Sequence, residues 1–142
     1  MDKKTIITIL IGQHRALQKD LGTISGLVFS EEQIDFKNII HLLQEFTKDL
    51  LGHLKLENET FYPELLDSMK AKNQDIVKTE LFIAEMKTIE VAVTTFLEKY
   101  KEASDIEEKL AEFKKEFPNI IETLNLRIES EEVGVYSYWG LF

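Results

Sequence analysis

Apolar residues recur along this chain at steps of three and four, the pattern of helices that bury one face. The first stripe is Ile7, Leu10, His14, Leu17, Leu21 and Ile24. It predicts a helix from about Lys4 to Leu21, with Gly22, Gly26 and Ser30 marking the loop beyond. Ser30-Glu-Glu-Gln33 resembles a capping box and predicts the start of a second helix. Its stripe is Ile39, Leu43, Phe46, Leu50, His53, Glu57 and Phe61. Pro63 follows, and a proline removes a helical hydrogen bond, so a kink or break is expected near Tyr62. Asn73-Gln-Asp75 reads as the next N-terminus, opening a stripe of Ile76, Ile83, Met86, Glu90, Val93, Leu97 and Tyr100. Ser104-Asp-Ile-Glu107 reads as another capping box. The fourth stripe is Leu110, Phe113, Phe117, Ile120, Leu124, Arg127 and Glu131, interrupted at Pro118. The aromatic tail Val133–Phe142 is expected to pack on these helices or on another subunit. Four amphipathic segments with short connections predict an all-α protein, an up-down-up-down four-helix bundle forming one domain over residues 1–142.

Each stripe carries polar residues where the period asks for core. His53 and Glu57 are four residues apart, so on a helix they lie on one face about 6 Å apart. A buried carboxylate needs a cation, a proton or a hydrogen-bond partner. Helix one contributes His14 and helix three Glu90, at the edge of its stripe. Helix four contributes Arg127 and Glu131, at the same four-residue spacing. One such residue would be an accident; one or more on every helix points to a shared polar site. The crowding of Glu129, Glu131 and Glu132 leaves open whether Glu131 or Glu132 faces inward. His41 lies off the face of His53 and reads as a surface histidine. Met86 reads as core packing, since a thioether is a poor ligand for hard iron.

Composition narrows the chemistry. With 44% apolar residues, two prolines and six glycines in 142, the chain suits a helical globular protein. It has no cysteine, which excludes disulfides, iron–sulfur clusters and thiol catalysis. A metal would be held by histidine and carboxylate, a donor set that suits iron, manganese or zinc. The net charge of −9 opposes nucleic acid as a partner. The apolar run Ile6–Ile11 is too short to span a bilayer. It ends at Gln13-His14-Arg15 with no small-residue cleavage site after it, so a cytoplasmic protein is expected. No nucleophile dyad or glycine-rich phosphate loop is present, which favours binding or sensing over catalysis.

Gln13-His14, then His53-x-x-x-Glu57 with Tyr62-Pro63, resembles the hemerythrin-like (HHE cation-binding) family over nearly the whole chain. The resemblance implies a centre of two irons bridged by two carboxylates and held by histidines from four helices. Members of that family carry oxygen, sense oxygen or iron, or handle nitric oxide. His14 and His53 match the ligands of one iron, and Glu57 and Glu131 the bridging carboxylates. Glu85-Met86 stands where the family has Glu-His. Arg127-x-x-x-Glu131, with Tyr136 nine residues after Arg127, stands where it has a second His-x-x-x-Glu. Met86 and Arg127 thus replace the histidines of the other iron, and arginine is always protonated and no ligand.

The resemblance therefore implies at most one divalent metal, iron favoured over manganese or zinc. His14, His53, Glu57 and Glu131 would hold it, with Glu90 near and a small diatomic molecule as a candidate ligand. Arg127 would occupy the place of the second metal. Glu57, Glu90 and Glu131 then balance Arg127 plus one divalent ion, and burial favours neutrality. Reversible oxygen carriage uses two irons and is not expected here, and the lost ligands also count against oxidase chemistry. The alternative is a metal-free interaction bundle in which Arg127 bridges Glu57 and Glu131. In that case the aromatic tail would serve a homodimer or another protein partner.

Overall fold

The computed structural model describes residues 2–139, apart from the side chain of Tyr138; Gly140, Leu141 and Phe142 of the expected tail lie outside the described residues. Among the described residues there is no strand. The first helix, α1, is Lys3–Val28, capped by Asp2, whose carboxylate accepts from the Thr5 amide at 2.8 Å. It runs straight through Gly22 and Gly26, where the sequence predicted a loop. Each glycine costs a helix only about 1 kcal/mol. The continuing stripe of Leu21, Ile24 and Val28 is fully buried and outweighs that cost.

The second helix starts later than predicted. Ser30–Gln33 forms a turn instead of a capping box, and α2, Phe36–Leu56, is capped by Asp35. A π-helical turn, Glu57–Phe61, then leads into α3, Tyr62–Ala71. The expected kink is thus a widened turn and not a break. Pro63 sits in the first turn of α3, and a wider turn relieves the clash its ring would make with the preceding carbonyls. Asn73, at φ 56°, turns the chain, and Asp75 accepts from the Val77 amide at the start of α4, Val77–Lys99. The next capping box is Glu102 with Asp105, not Ser104 with Glu107, and it opens the short α5, Ala103–Glu108. The break falls at Lys109, and α6, Leu110–Ser130, passes Pro118 without interruption. A second π-helical turn, Glu131–Tyr136, precedes α7, Ser137–Trp139.

Helix α1 packs on α2 and α6, α4 packs on α6, and α5 closes against α2. The core has two apolar parts. One runs from Leu17 through Phe46, Phe96 and Phe117 to Ile128. The other gathers Ile6, Leu10, Phe61, Leu65, Tyr136 and Trp139. Along α1, and along α2 and α6 with the π-helical turns that follow them, the chain passes from one part to the other through polar residues. His14 lies between Leu10 and Leu17, His53 and Glu57 between Leu50 and Phe61, and Arg127 and Glu131 between Leu124 and Val135. The polar residues therefore form a layer across the core.

The tail is used internally as far as it is described. Trp139 is buried and meets Phe61 edge-on at 5.0 Å, and Tyr136 meets Phe61 at 4.9 Å. No described helix is long and apolar enough to cross a membrane.

Candidate metal centre

Five charged or ionisable side chains are sealed in the polar layer: His14 at 1% exposure, His53 at 2%, Arg127 at 3%, and Glu57 and Glu131 at 0%. His14, His53, Glu57 and Glu131 each offer one donor atom, and these four atoms lie within 4.8 Å of one another.

The two π-helical turns help to make this possible. Each opens on one of the glutamates, and each glutamate is followed five residues later by a tyrosine, Tyr62 or Tyr136. A π turn closes from residue i to i+5. The Tyr62 amide duly bonds to the Glu57 carbonyl, so glutamate and tyrosine share a face. The tyrosines then cross over. Tyr62 donates to Glu131 Oε2 at 2.5 Å, and Tyr136 donates to Glu57 Oε2 at 2.7 Å. Burial, reinforced by the two carboxylates, pushes both phenol groups far up, so they remain donors.

With each Oε2 held by a tyrosine, each Oε1 is left for the centre. Arg127 Nη2 donates to Glu57 Oε1 at 2.8 Å, while Arg127 Nε lies 3.6 Å from Glu131 Oε1. The third contact of the guanidinium is from Nη1 to the Met86 carbonyl at 3.2 Å. Burial works against the charge on Arg127, but Glu131 and Glu57 outweigh it and raise its pKa. The guanidinium is a fixed cation here.

The imidazoles are oriented from outside the layer. His53 Nδ1 donates to Gln13 Oε1 at 2.7 Å, and His14 Nδ1 donates to Glu132 Oε2 at 2.7 Å. A ring nitrogen that donates in a neutral imidazole leaves the other as a bare acceptor. Both Nε2 atoms therefore turn lone pairs inward. His14 Nε2 lies 3.2 Å from Glu131 Oε1, and His53 Nε2 lies 3.3 Å from Glu57 Oε1. The Tyr136 oxygen, 3.3 Å from His14 Nε2, has already given its proton to Glu57. Neither of these inward nitrogen–oxygen contacts with the glutamates is a hydrogen bond. His53 Nε2 and Glu131 Oε1 have no hydrogen-bond partner at all.

A proton is a poor remedy at His53. Burial first, then His14 and Arg127, press its pKa down to about 3, against the pull of Glu131. At Glu131 the shift runs the other way: burial and Glu57 raise its pKa despite His14 and Arg127. A metal ion suits the geometry. Separations of 3.2 and 3.3 Å fall between the octahedral and tetrahedral ligand spacings of about 3.0 and 3.4 Å for bonds of about 2.1 Å. Two imidazole nitrogens and two carboxylate oxygens suit iron, manganese or zinc.

The other residues singled out in the sequence fall as follows. Glu90 is half-buried, accepts from Asn58 Nδ2 at 3.3 Å, and stands outside the four-residue group. Met86 is buried and touches the site through its backbone carbonyl. His41 is exposed. Glu131 is the fully buried member of its acidic run, while Glu132 reaches His14 from the rim and is itself clasped by Arg15. Sequence spacing gave no role to Gln13, Glu132 or the two tyrosine hydroxyls. The one available signal was their recurrence: Gln13 adjoins His14, and a tyrosine follows each glutamate by five.

No curated protein and no solved structure matches the chain. A family model described as the hemerythrin HHE cation binding domain matches residues 5–139. With nearly its whole length matched, and with the cation-ligand geometry in the same stretch, the chain belongs to the hemerythrin HHE cation-binding family.

Proposed function

We propose that this protein binds a single divalent metal, held by His14, His53, Glu57 and Glu131, with Arg127 in place of a second ion. Its four long helices form an up-down-up-down bundle around that centre, in a cytoplasmic protein that binds or senses. The observation that carries the reading is the pair of inward imidazole lone pairs facing carboxylate oxygens, with His53 Nε2 and Glu131 Oε1 unpartnered. Iron is favoured, and manganese and zinc suit the same donors. Bound there, the ion would supply a Lewis-acidic centre for a small ligand such as a diatomic molecule. The chain's own part is to hold the donors in place. Gln13 and Glu132 fix the imidazole tautomers, the two tyrosines fix the carboxylates, and Leu17, Leu50 and Leu124 exclude water beside His14 and His53. Replacement of two histidines by Met86 and Arg127 argues against reversible di-iron oxygen carriage.

The second reading, a metal-free interaction bundle, is favoured by the state of Glu57. Both of its oxygens already have partners, Arg127 and Tyr136. Metal analysis separates the two. Protein stripped with chelator and titrated with Fe²⁺, Mn²⁺ or Zn²⁺ is expected to bind one ion per chain, and His53→Ala is expected to abolish binding. No binding of any of the three would establish the interaction bundle, and two ions per chain would refute the role given to Arg127.

A further inference from the structure

Arg127 is a permanent charge that shares its carboxylate oxygens with the proposed metal position. Its Nη2 donates to Glu57 Oε1, and its Nε lies near Glu131 Oε1. These are the same two oxygens that face His53 Nε2 and His14 Nε2. Whatever ion sits among those donors therefore has a second cation just across the carboxylates, in a layer closed to water. The remaining oxygens are also drained of charge, since Tyr62 and Tyr136 each donate to one. On the rim, the Glu132 carboxylate behind His14 is offset by Arg15.

A charge count shows what this arrangement prefers. The sealed groups are two carboxylates and one guanidinium, a sum of −1, which becomes −2 with half-buried Glu90. A divalent ion brings the larger sum to zero. A trivalent ion leaves the layer positive, and unbalanced charge is costly where water cannot screen it.

We infer that Arg127 tunes the centre to hold its metal in the divalent state. The protein is thus a site for ferrous iron or a redox-inert divalent ion, and its iron does not cycle to the ferric form under ordinary aerobic conditions. The inference rests on the single-metal reading above, and it adds a regulation of oxidation state that a metal count alone does not test.

The full-length protein is loaded with Fe²⁺ under anaerobic conditions, and its reduction potential is measured by spectroelectrochemical titration. Arg127→Gln, which keeps the hydrogen-bonding shape without the charge, is measured beside it. A neighbouring positive charge favours the less positive oxidation state, so its removal is expected to lower the potential. The expected size is at least a tenfold change in the ferric-to-ferrous affinity ratio, about 60 mV for one electron. Arg127→Lys keeps the charge and is expected to stay closer to the wild-type potential than Arg127→Gln does. An unchanged or higher potential in the glutamine variant overturns the inference. Should that variant not fold, the wild type decides: iron that stays ferrous in air-equilibrated buffer supports the inference, and complete oxidation to ferric iron refutes it. A chain that takes up none of Fe²⁺, Mn²⁺ and Zn²⁺ refutes the metal reading itself, whereas a chain whose bound iron ignores Arg127 refutes this inference alone.

Discussion

Removing the guanidinium from metal-free protein tests the electrostatics of the buried layer most directly. In Arg127→Ala, Glu57 Oε1 loses its 2.8 Å donor and Glu131 Oε1 loses the charge 3.6 Å away. The Met86 carbonyl loses its 3.2 Å donor as well. Two carboxylates at 0% exposure are left facing each other with only tyrosine hydroxyls to stabilise them. Breaking a buried pair by deleting one partner costs about 3–5 kcal/mol. For a chain of 142 residues that corresponds to a fall in Tm of roughly 10–15 °C.

The variant has one escape, which is to protonate Glu131. Its pKa is already raised above 4.5 by burial and by Glu57, with Arg127 among the groups holding it down. Without Arg127 it rises further. Above pH 4.5 the folded variant then holds a proton that the unfolded chain does not. Its stability therefore falls as pH rises, by up to about 1.4 kcal/mol per unit. Urea denaturation of chelator-treated protein at pH 6 and pH 8 is the assay. The expected result is a destabilisation of about 4 kcal/mol at pH 8 that is smaller at pH 6. A loss below about 1 kcal/mol at both values would show that Arg127 is screened by solvent and is not the counter-charge of the layer.

Three further outcomes follow from the same geometry. Restoring histidines in the double variant Met86→His, Arg127→His is expected to raise the metal count from one to two per chain, read by elemental analysis; a count that stays at one would refute the substitution argument. Gln13→Ala and Glu132→Ala each free an imidazole Nδ1. They are expected to weaken metal binding about 10–100-fold while lowering metal-free stability by about 1–3 kcal/mol, as read by competition titration and denaturant unfolding. Asp20, part-buried between α1 and α2, has its pKa raised to about 6 by burial and by Asp49. A carboxylate raised in the fold loses stabilisation as pH climbs through that value. Asp20→Asn is therefore expected to stabilise the protein by about 1 kcal/mol at pH 8, after allowance for solvent screening, with the gain fading towards pH 4; equal effects at both pH values would disprove the linkage.

The helices and their inward faces were legible because burial repeats at the helical period. His14, His53, Glu57, Arg127 and Glu131 could be placed on core stripes for that reason, and all five are buried. Helix ends were less legible. Gly22 and Gly26 suggested a stop, but a local propensity of about 1 kcal/mol is small beside the burial of Ile24 and Val28. Ser30 and Ser104 had the right neighbours for caps, yet Asp35 and Glu102 took those positions, a shift of two to five residues. Glu90 lay on a stripe at the edge of the predicted face, and the fold turned it towards Asn58. Pairings across the molecule were not legible at all. That Tyr62 reaches Glu131, or that Glu132 reaches His14 across 118 positions, depends on how helices meet and not on spacing along any one of them.

Those long-range pairings hold the carboxylates in place. Each glutamate is tied to the tyrosine of the opposite π-helical turn, so neither depends on a second metal for its orientation. Arg127 has the planar fork needed to donate in several directions, and it serves Glu57, Met86 and, by charge, Glu131 from one position. A lysine there would present a single point charge and could not span the three. A neutral residue would leave the two sealed carboxylates at −2, Glu90 not counted, which one divalent ion would balance without any arginine. The arginine is thus not required for neutrality of the sealed groups alone. Its charge is matched only when Glu90 is counted, and Glu90 is among the acidic groups that raise the pKa of Arg127.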